Sequence, residues 1–338
     1  MPVLKPDNQT TNNMAEKSRL EVRPATPEDA ENIRTLFQQI FNEEMSDRHW
    51  QWKYKRPPSR SIVVYRDGKL VAHYGGVGTK ILLDGKSSTA IQITDLMVAR
   101  DARQAVRSQS PFYQSAKQFL ESYVGYDKPF YLAYGFPSDR AMALSEKLGL
   151  YETVGHMIEV SWQLGQSSPQ ASTGKLVEVD EENFSEYQQD IDKLWQAFST
   201  NFKHHFICNR DADYFRWRYL LHPSRKYSIH LAYSRILKKP ESLIVLRHDD
   251  NKCMLMDMLC RKMDFRSSLA MARQLAREND KSTLVTWSSD VFSNHFCVDQ
   301  ASEKLLPVAI PANSCSPGYP PEKQHDKWWF MPGDTDYL

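Results

Sequence analysis

The sequence lacks three features: a surplus of charge of one sign, a paired pattern of cysteines and a long apolar run. Lysine and arginine total 43 against 42 aspartate and glutamate residues. No basic field therefore extends toward nucleic acid or anionic lipid, and we expect neither a nucleic-acid nor a membrane partner. The five cysteines are an odd number without C-x-x-C spacing, which predicts a reduced, cytoplasmic protein with no metal site. No stretch approaches the roughly 18 apolar residues of a membrane helix, and we expect residues 1–19 to be a disordered leader.

The sequence does contain one short segment that is repeated. The segments "WKYKRPPSR" (52–60) and "WRYLLHPSR" (217–225) share tryptophan, tyrosine, proline, serine and arginine at a constant offset, so that Trp52 matches Trp217. Chance supplies about one identity or none in so short a window. A chain of 338 residues, 41% of them hydrophobic, also suits two domains of roughly 100–200 residues each. The sequence therefore predicts a duplicated domain, with these aromatic residues packed beneath each sheet rather than stacked on nucleic acid.

Each copy has the same order of predicted elements. An amphipathic helix opens it, in "TPEDAENIRTLFQQIF" and in "DEENFSEYQQDIDKLWQAF", and strands, a central strand, a second helix and a further strand follow. In the first copy, Thr26 with Asp29 three residues later marks the start of the helix, and Asp67-Gly68 predicts a tight hairpin turn. In the last strand of the second copy, Trp328 and Trp329 are expected to point to opposite faces. The central strand "ITDLMV" is matched by "LMDMLC", which sets Asp95 opposite Asp257. The segment 165–174, "GQSSPQASTG", has the composition of a flexible linker. We therefore expect two α/β domains with mixed sheets, residues 20–164 and 175–338.

Three segments of the first copy resemble the GNAT superfamily of acyl-CoA-dependent N-acyltransferases. They are "EVRPATPEDAENIRTLF" at the first strand and helix, "ITDLMVARDAR" at the fourth strand, and "YGFPSDRAMALSEKLGLYETVG" at the fifth strand and its helix. The second copy is similar to a divergent member. The resemblance implies an α/β (α+β, mixed-sheet) fold in tandem, and an enzyme that transfers an acyl group from acetyl-CoA or another acyl-CoA to an amine. Such a transfer needs a deprotonated amine and hydrogen-bond donors for the oxyanion.

The resemblance also implies where the acyl-CoA binds. The pantetheine arm is expected along the fourth strand, and the pyrophosphate in the loop that follows it, before the next helix. That loop lacks the glycines usual in the family but offers cationic and hydroxyl groups. The expected contacts are Met97, Val98, Arg103, Gln104, Arg107, Ser108 and Ser110, with Ser138 at the start of the helix after the fifth strand. The alternative is a solvated loop on a domain that has lost its cofactor.

The length of this loop distinguishes the two copies. The first copy has thirteen residues, 99 to 111, between its fourth strand and the next helix, and the second has four, 261 to 264. Four residues can join a strand to a helix but leave little chain to surround a pyrophosphate. If CoA binds, we expect it on the first copy.

Catalytic residues are less clearly marked, because Ser145 replaces the tyrosine that is the family's usual acid. Tyr134, at the end of the fifth strand, and His156 are candidates to protonate the leaving thiolate, and the alternative for Tyr134 is a packing or substrate-wall role. Asp95 and His73 are candidates to relay a proton from the amine. Asp95 is equally suited to anchor hydrogen bonds, and His73 to be a buried, satisfied imidazole.

The leading functional hypothesis is an N-acyltransferase, most simply an N-acetyltransferase, acting on a small-molecule amine or an amino sugar. The first alternative is a non-catalytic binding or assembly protein that kept the fold after losing CoA. The second is an acyltransferase that takes its acyl group from an acyl carrier protein, since the altered loop need not recognise the nucleotide.

Overall fold

The computed structural model describes residues 19–55, 58–103, 109–165 and 175–335. Of the predicted features, the leader up to residue 18, the linker from residue 166 and three expected CoA contacts (Gln104, Arg107 and Ser108) lie outside the described residues. The described residues form two seven-stranded mixed sheets with helices packed on them. The predicted mixed-sheet α/β tandem is confirmed. Among the described residues, no helix combines the length and the apolar character needed to cross a bilayer.

The first sheet takes five of its seven strands from the first half of the chain, and these five are arranged in sequence order. Its elements are β1 (Leu20–Pro24), β2 (Ser59–Arg66), β3 (Lys69–Leu83), β4 (Lys86–Val98) and β5 (Leu132–Tyr134), with α1 (Ala30–Phe41), α2 (Asp47–Trp50), α3 (Pro111–Tyr123) and α4 (Asp139–Lys147). Strands β1 to β4 are antiparallel, and β5 runs parallel to β4. The predicted hairpin at Asp67-Gly68 is confirmed, with φ of 51° and 75° at the two turn residues, which is the backbone that an Asp-Gly turn favours.

The first helix shows why this sequence folds locally as predicted. Thr26 and Asp29 form a capping box around the short 3-10 turn Pro27–Asp29, which leads into α1. The Asp29 carboxylate also accepts hydrogen bonds from Arg23 (2.7 Å) and from the Tyr65 hydroxyl (2.7 Å). Ile33 and Leu36 then lie one turn apart on the face that packs on the sheet.

The second half of the chain follows the same order of elements. They are β7 (Leu176–Val179), α5 (Phe184–Asn201), β8 (Phe206–Cys208), α6 (Ala212–Phe215), β9 (Ser228–Tyr233), β10 (Pro240–His248), β11 (Lys252–Cys260), α7 (Phe265–Glu278), β12 (Thr283–Ser289), α8 (Ser293–Phe296), β13 (Ser302–Asn313) and β14 (Trp328–Trp329). Strand β6 (Tyr151–Gln163) precedes them and ends the first half. The second sheet has the order β13-β6-β12-β11-β10-β9-β7. In β14 the two tryptophans belong to different apolar clusters, which confirms the prediction that they point to opposite faces.

The two sheets exchange strands. Strand β6 comes from the first half of the sequence, yet it lies between β12 and β13 in the second sheet and pairs antiparallel with both. In return, β8 from the second half pairs with the end of β3, and β14 pairs with β8, in the first sheet. Neither sheet is therefore complete without residues from the other half of the sequence.

The two copies of the repeated segment meet where the halves contact each other. Helices α2 and α6 each continue into a π-helical turn, Gln51–Lys55 and Arg216–Leu220. The Trp52 and Trp217 rings stack with centroids 5.0 Å apart. Each indole N–H donates to the other residue's backbone carbonyl, at 2.8 Å and 3.1 Å. The two residues are equivalent, as the repeat predicted, but they pack on each other across the junction and not beneath their own sheets.

Candidate active site

Strands β4 and β5 separate after a short parallel pairing. They pair over residues 90–92 and 132–134, and β4 continues to Val98 beyond the end of β5. The second half repeats this arrangement, since β11 pairs with β12 over residues 252–254 and then continues to Cys260. Within the described chain, residues 93–98 have no strand partner on the side that β5 leaves. The first half therefore presents an open strand edge, which is where the resemblance placed the pantetheine arm.

A β-bulge shapes this edge. The register of β4 against β3 shifts so that Asp95 and Leu96 together face the single residue Tyr74. Asp95 has φ of 48°, a left-handed conformation that costs a non-glycine residue on the order of 1 kcal/mol. The Leu96 side chain is 36% exposed beside it. Contacts from neighbouring segments must hold Asp95 in this conformation.

The carboxylate of Asp95 is buried between two side chains of the π-helical turn. Lys53 Nζ lies 2.8 Å from Asp95 Oδ1, and the Tyr54 hydroxyl donates to Oδ2. Burial alone would raise the pKa of Asp95, but the Lys53 ammonium and the Tyr54 hydroxyl hold it below its ordinary value. Asp95 is therefore a paired carboxylate that ties the bulge to the turn carrying Trp52.

His73 supports the same bulge from β3 and is fully buried. Its Nδ1 lies 2.8 Å from the backbone carbonyl of Asp95, and its Nε2 lies 3.0 Å from Ser61 Oγ. Because a carbonyl can only accept, Nδ1 carries the proton and Nε2 accepts from the serine hydroxyl. Burial lowers the pKa of His73, so the imidazole is neutral.

The carbonyl of Val98 marks the direction of the open edge. The N–H of Ala99 donates to Val71 O on β3 at 2.8 Å. Successive residues of an antiparallel strand point their N–H and C=O groups to alternate sides, so those of Val98 point away from β3, toward the open edge. There Arg103 Nε donates to Val98 O at 3.0 Å. Met97 instead pairs with His73 of β3, and its side chain is buried in the apolar cluster that also contains Ile33 and Leu36 of α1.

Two further expected CoA contacts begin helices. Ser110 is the N-cap of α3, and its Oγ accepts from the N–H of Tyr113 at 3.2 Å. Ser138 is the N-cap of α4, and its Oγ accepts from the N–H of Ala141 at 3.4 Å. The N-terminus of α3 carries the positive end of a helix of 13 residues, which favours an anion close to the open edge.

Tyr134 points away from these groups. Its ring stacks on Phe330 (5.2 Å) and packs beside Trp328 (5.3 Å), both from the second half of the chain. Its hydroxyl accepts from the thiol of Cys208 at 3.5 Å. Burial, with Cys208 as the next cause, raises the pKa of Tyr134 well above its ordinary value. His156 lies on β6, within the second sheet.

The corresponding edge in the second half is filled by the chain itself. The short helical turn Pro332–Asp334 packs against β11, and a Cβ added at Gly333 would lie 3.0 Å from Asp257 Oδ2 and 3.1 Å from Met256 O. Arg218, the counterpart of Lys53, donates to Gly333 O and Thr335 O, each at 3.0 Å. The second copy therefore has no free edge at this position.

A buried charge network holds that segment in place. Arg210 has no exposed surface, and it pairs with Asp257 (2.8 Å) and with Asp334. Asp257 also accepts from the hydroxyl of Tyr219, the counterpart of Tyr54, at 3.0 Å. The tyrosine-aspartate pair is thus present in both copies. The other carboxylate that pairs with Arg210, Asp334, belongs to the turn that fills the edge of β11.

Sequence reasoning missed Lys53 and Tyr54 as partners of Asp95. The signal was present in the repeat, because Tyr54 matches Tyr219 at the same offset as the tryptophans while the aspartates match on the fourth strands. The second copy keeps the tyrosine-aspartate pair although its strand edge is filled. This indicates that the pair stabilises the bulge and is not specific to acyl-CoA binding. In the part of the chain that the structure describes, no three His, Cys, Asp or Glu side chains are grouped to hold a metal ion.

Comparison with known proteins agrees with this geometry. Residues 21–143 match a family described as the acetyltransferase (GNAT) domain. That segment, 123 of the 338 residues, is therefore a GNAT acetyltransferase domain. No curated protein matches the sequence.

Solved structures extend the likeness to both halves. A probable N-acyltransferase from Enterococcus faecalis V583 has a TM-score of 0.69 at 14% identity, over 88% of this chain and 73% of that one. A GCN5-related N-acetyltransferase from Anabaena variabilis ATCC 29413 has a TM-score of 0.65 at 12% identity, over the same shares. Saccharomyces cerevisiae N-myristoyltransferase with bound myristoyl-CoA has a TM-score of 0.51 at 11% identity, over 93% of this chain and 87% of that one. At these identities the likeness shows a shared fold.

Proposed function

We propose that the protein is an acyl-CoA-dependent N-acyltransferase whose first half alone binds the acyl-CoA. The observation that carries this proposal is the contrast between the copies. The edge of β4 is open beside a bulge and a helix N-terminus, whereas the equivalent edge of β11 is filled by residues 331–335. A CoA molecule needs such an edge for its pantetheine amides and a helix N-terminus for its phosphates.

The roles we assign follow from the contacts. The backbone of Val98 would bond the pantetheine arm, and Arg103 and the start of α3 at Ser110 would meet the pyrophosphate. Asp95 would position the bulge, because its carboxylate is already paired with Lys53 and Tyr54. His73 would hold the bulge from behind as a neutral imidazole. Tyr134 keeps its proton at neutral pH, but its packing favours a wall role over that of the acid.

Acetyl is the simplest acyl group, and a small amine or amino sugar the simplest acceptor. The likeness to a protein solved with myristoyl-CoA makes a longer acyl chain a defined second candidate. The free thiols of all five cysteines fit a reducing compartment, and we place the protein in the cytoplasm.

Calorimetric titration of the purified protein with acetyl-CoA and with myristoyl-CoA tests the proposal. Charge-assisted hydrogen bonds contribute about 1.5–3 kcal/mol each. Arg103→Ala combined with Arg107→Ala is therefore expected to weaken binding at least about tenfold. The matched control is Arg261→Ala combined with Lys262→Ala in the second copy, which is expected to leave binding unchanged.

Three outcomes would contradict the assignment. Unchanged binding by the Arg103/Arg107 variant would remove the pyrophosphate site. Equal weakening by the Arg261/Lys262 variant would move the site to the second copy. The absence of binding to either CoA ester would favour the carrier-protein or the non-catalytic alternative.

A further inference from the structure

One end of the second sheet gathers cations and exposed aliphatic side chains. In the sheet register Ser242 lies opposite Cys260, so the turn between β9 and β10 lies beside the loop that follows β11. Leu176 pairs with Ala232, which brings the start of β7 to the same end. The cations at this end are Lys175, Arg235, Lys238, Lys239, Arg261 and Lys262, and all are exposed.

Three aliphatic side chains project among these cations. Ile236 is 86% exposed, Leu237 is 65% exposed and Met263 is 80% exposed. Ile236 and Leu237 form the tip of a hairpin turn, which is closed by a hydrogen bond from Ser234 N to Lys239 O at 2.9 Å. The backbone of the turn therefore holds them out from the sheet. We call Lys175, residues 234–241 and residues 261–264 together the basic-apolar end.

Carboxylates balance only part of this charge. Asp264 pairs with Arg261 at 2.6 Å, and Glu241 lies at the start of β10. Six cations against two carboxylates leave the basic-apolar end strongly positive, although the whole chain is nearly neutral. The balanced total predicted no membrane partner, but a total does not report how the charge is distributed.

We propose that the basic-apolar end docks the protein on an anionic membrane surface. The cations would meet lipid phosphates and carboxylates, while Ile236, Leu237 and Met263 enter the boundary between headgroups and acyl chains. A nucleic acid would match the cations but leave the three aliphatic side chains in water. A protein partner needs a buried area of about 1,000 Å² or more, and a projecting tip of two side chains presents far less. This inference does not rest on the proposed acyl transfer.

Sedimentation with vesicles tests the proposal on the full chain. Vesicles of phosphatidylcholine with about one third phosphatidylserine are compared with vesicles of phosphatidylcholine alone, at about 0.1 M and about 0.5 M salt. We expect binding to the anionic vesicles at the lower salt, at least about tenfold stronger than to the neutral ones. Each cation near an anionic surface contributes about fivefold to partitioning. Arg235→Glu combined with Lys239→Glu is therefore expected to reduce binding more than about tenfold.

Two further variants separate the contributions. Ile236→Ser combined with Leu237→Ser removes the aliphatic tip and should also weaken binding at least about tenfold, since two buried side chains are lost. Lys128→Glu combined with Lys147→Glu changes two exposed lysines of the first half and should bind like the unaltered protein. Circular dichroism of each variant checks that it is folded; the four substituted positions in the turn are all exposed.

The proposal fails if the unaltered protein does not bind anionic vesicles at the lower salt. It also fails if the Lys128/Lys147 variant loses as much binding as the turn variants. Loss of binding in the charge variant with full binding in the Ile236/Leu237 variant would refute the insertion of the aliphatic side chains into the bilayer.

Discussion

Replacing Arg210 with methionine should destabilise the protein more than any exposed arginine substitution. Its guanidinium has no exposed surface and pairs with Asp257 and Asp334, which are themselves buried. Methionine fills much of the volume but leaves two neighbouring carboxylates without their shared cation. Breaking a buried ion pair from one side costs about 3–5 kcal/mol. We expect Arg210→Met to lower the free energy of unfolding by that amount at neutral pH.

The pH dependence of the variant tests the electrostatic cause. Burial raises the pKa of Asp334, Arg210 opposes that rise, and Asp257 adds to it. Loss of Arg210 should therefore raise the pKa of Asp334 further. A carboxyl group with a raised folded pKa stabilises the fold most when it is protonated. The loss should thus be complete above that pKa and shrink as the pH falls through it toward the ordinary aspartate value near 3.9.

Urea unfolding followed by fluorescence at about pH 7.5 and about pH 5.5 measures both effects. Arg216→Met is the control, because Arg216 pairs with Glu181 at 3.6 Å with both side chains about half exposed, and such pairs contribute about 0–1 kcal/mol. If Arg210→Met costs less than about 1 kcal/mol, the network does not stabilise the fold. A cost that is equal at both pH values would show that lost packing, and not the unpaired carboxylates, is the cause.

Two other predictions follow from the packing. Gly333→Ala should lower the free energy of unfolding by about 1–3 kcal/mol, because the added Cβ would lie 2.0 Å from the Tyr219 hydroxyl oxygen. In the control, Gly165→Ala, the added Cβ meets no atom within 4 Å, so the stability should change by no more than about 0.5 kcal/mol. Equal shifts of the melting temperature in the two variants would refute the steric argument. Residues 19–165 produced alone should fail to give a folded protein, since β6 pairs with strands of the second half, and a cooperative melt from that fragment would disprove this.

The sequence was sufficient where the signal was local or repeated. The capping box of Thr26 and the hairpin at Asp67-Gly68 lie within a few residues, and each is found where the pattern put it. The equivalence of Trp52 and Trp217 followed from a constant offset. Their mutual stacking did not, because a repeat shows that two residues are alike without showing where the copies touch.

The site was harder to predict, because its contacts join distant parts of the chain. Lys53 reaches Asp95 across 42 residues, and neither neighbourhood shows a pattern that requires the pair. The direction of Tyr134 depends on which face of a strand of three residues it occupies, and a strand this short gives no readable alternation. The exchange of β6 was invisible for a similar reason, since its alternating residues suit either sheet.

The strand exchange also constrains how the protein is made. When a ribosome has finished β6, its first partner, β12, is still about 120 residues from being synthesised. At roughly 5–20 residues per second, that delay lasts on the order of 6 to 24 seconds. For this time the backbone of β6 has no strand partner. Its apolar side chains, which are buried in the finished protein, also lack the second sheet in which they pack; they are Val154, Met157, Val160 and Trp162. The nascent first half thus exposes an unpaired apolar strand for several seconds, which is enough time for a chaperone to bind it. The strand exchange that joins the two halves of the finished protein therefore leaves the nascent chain prone to aggregation.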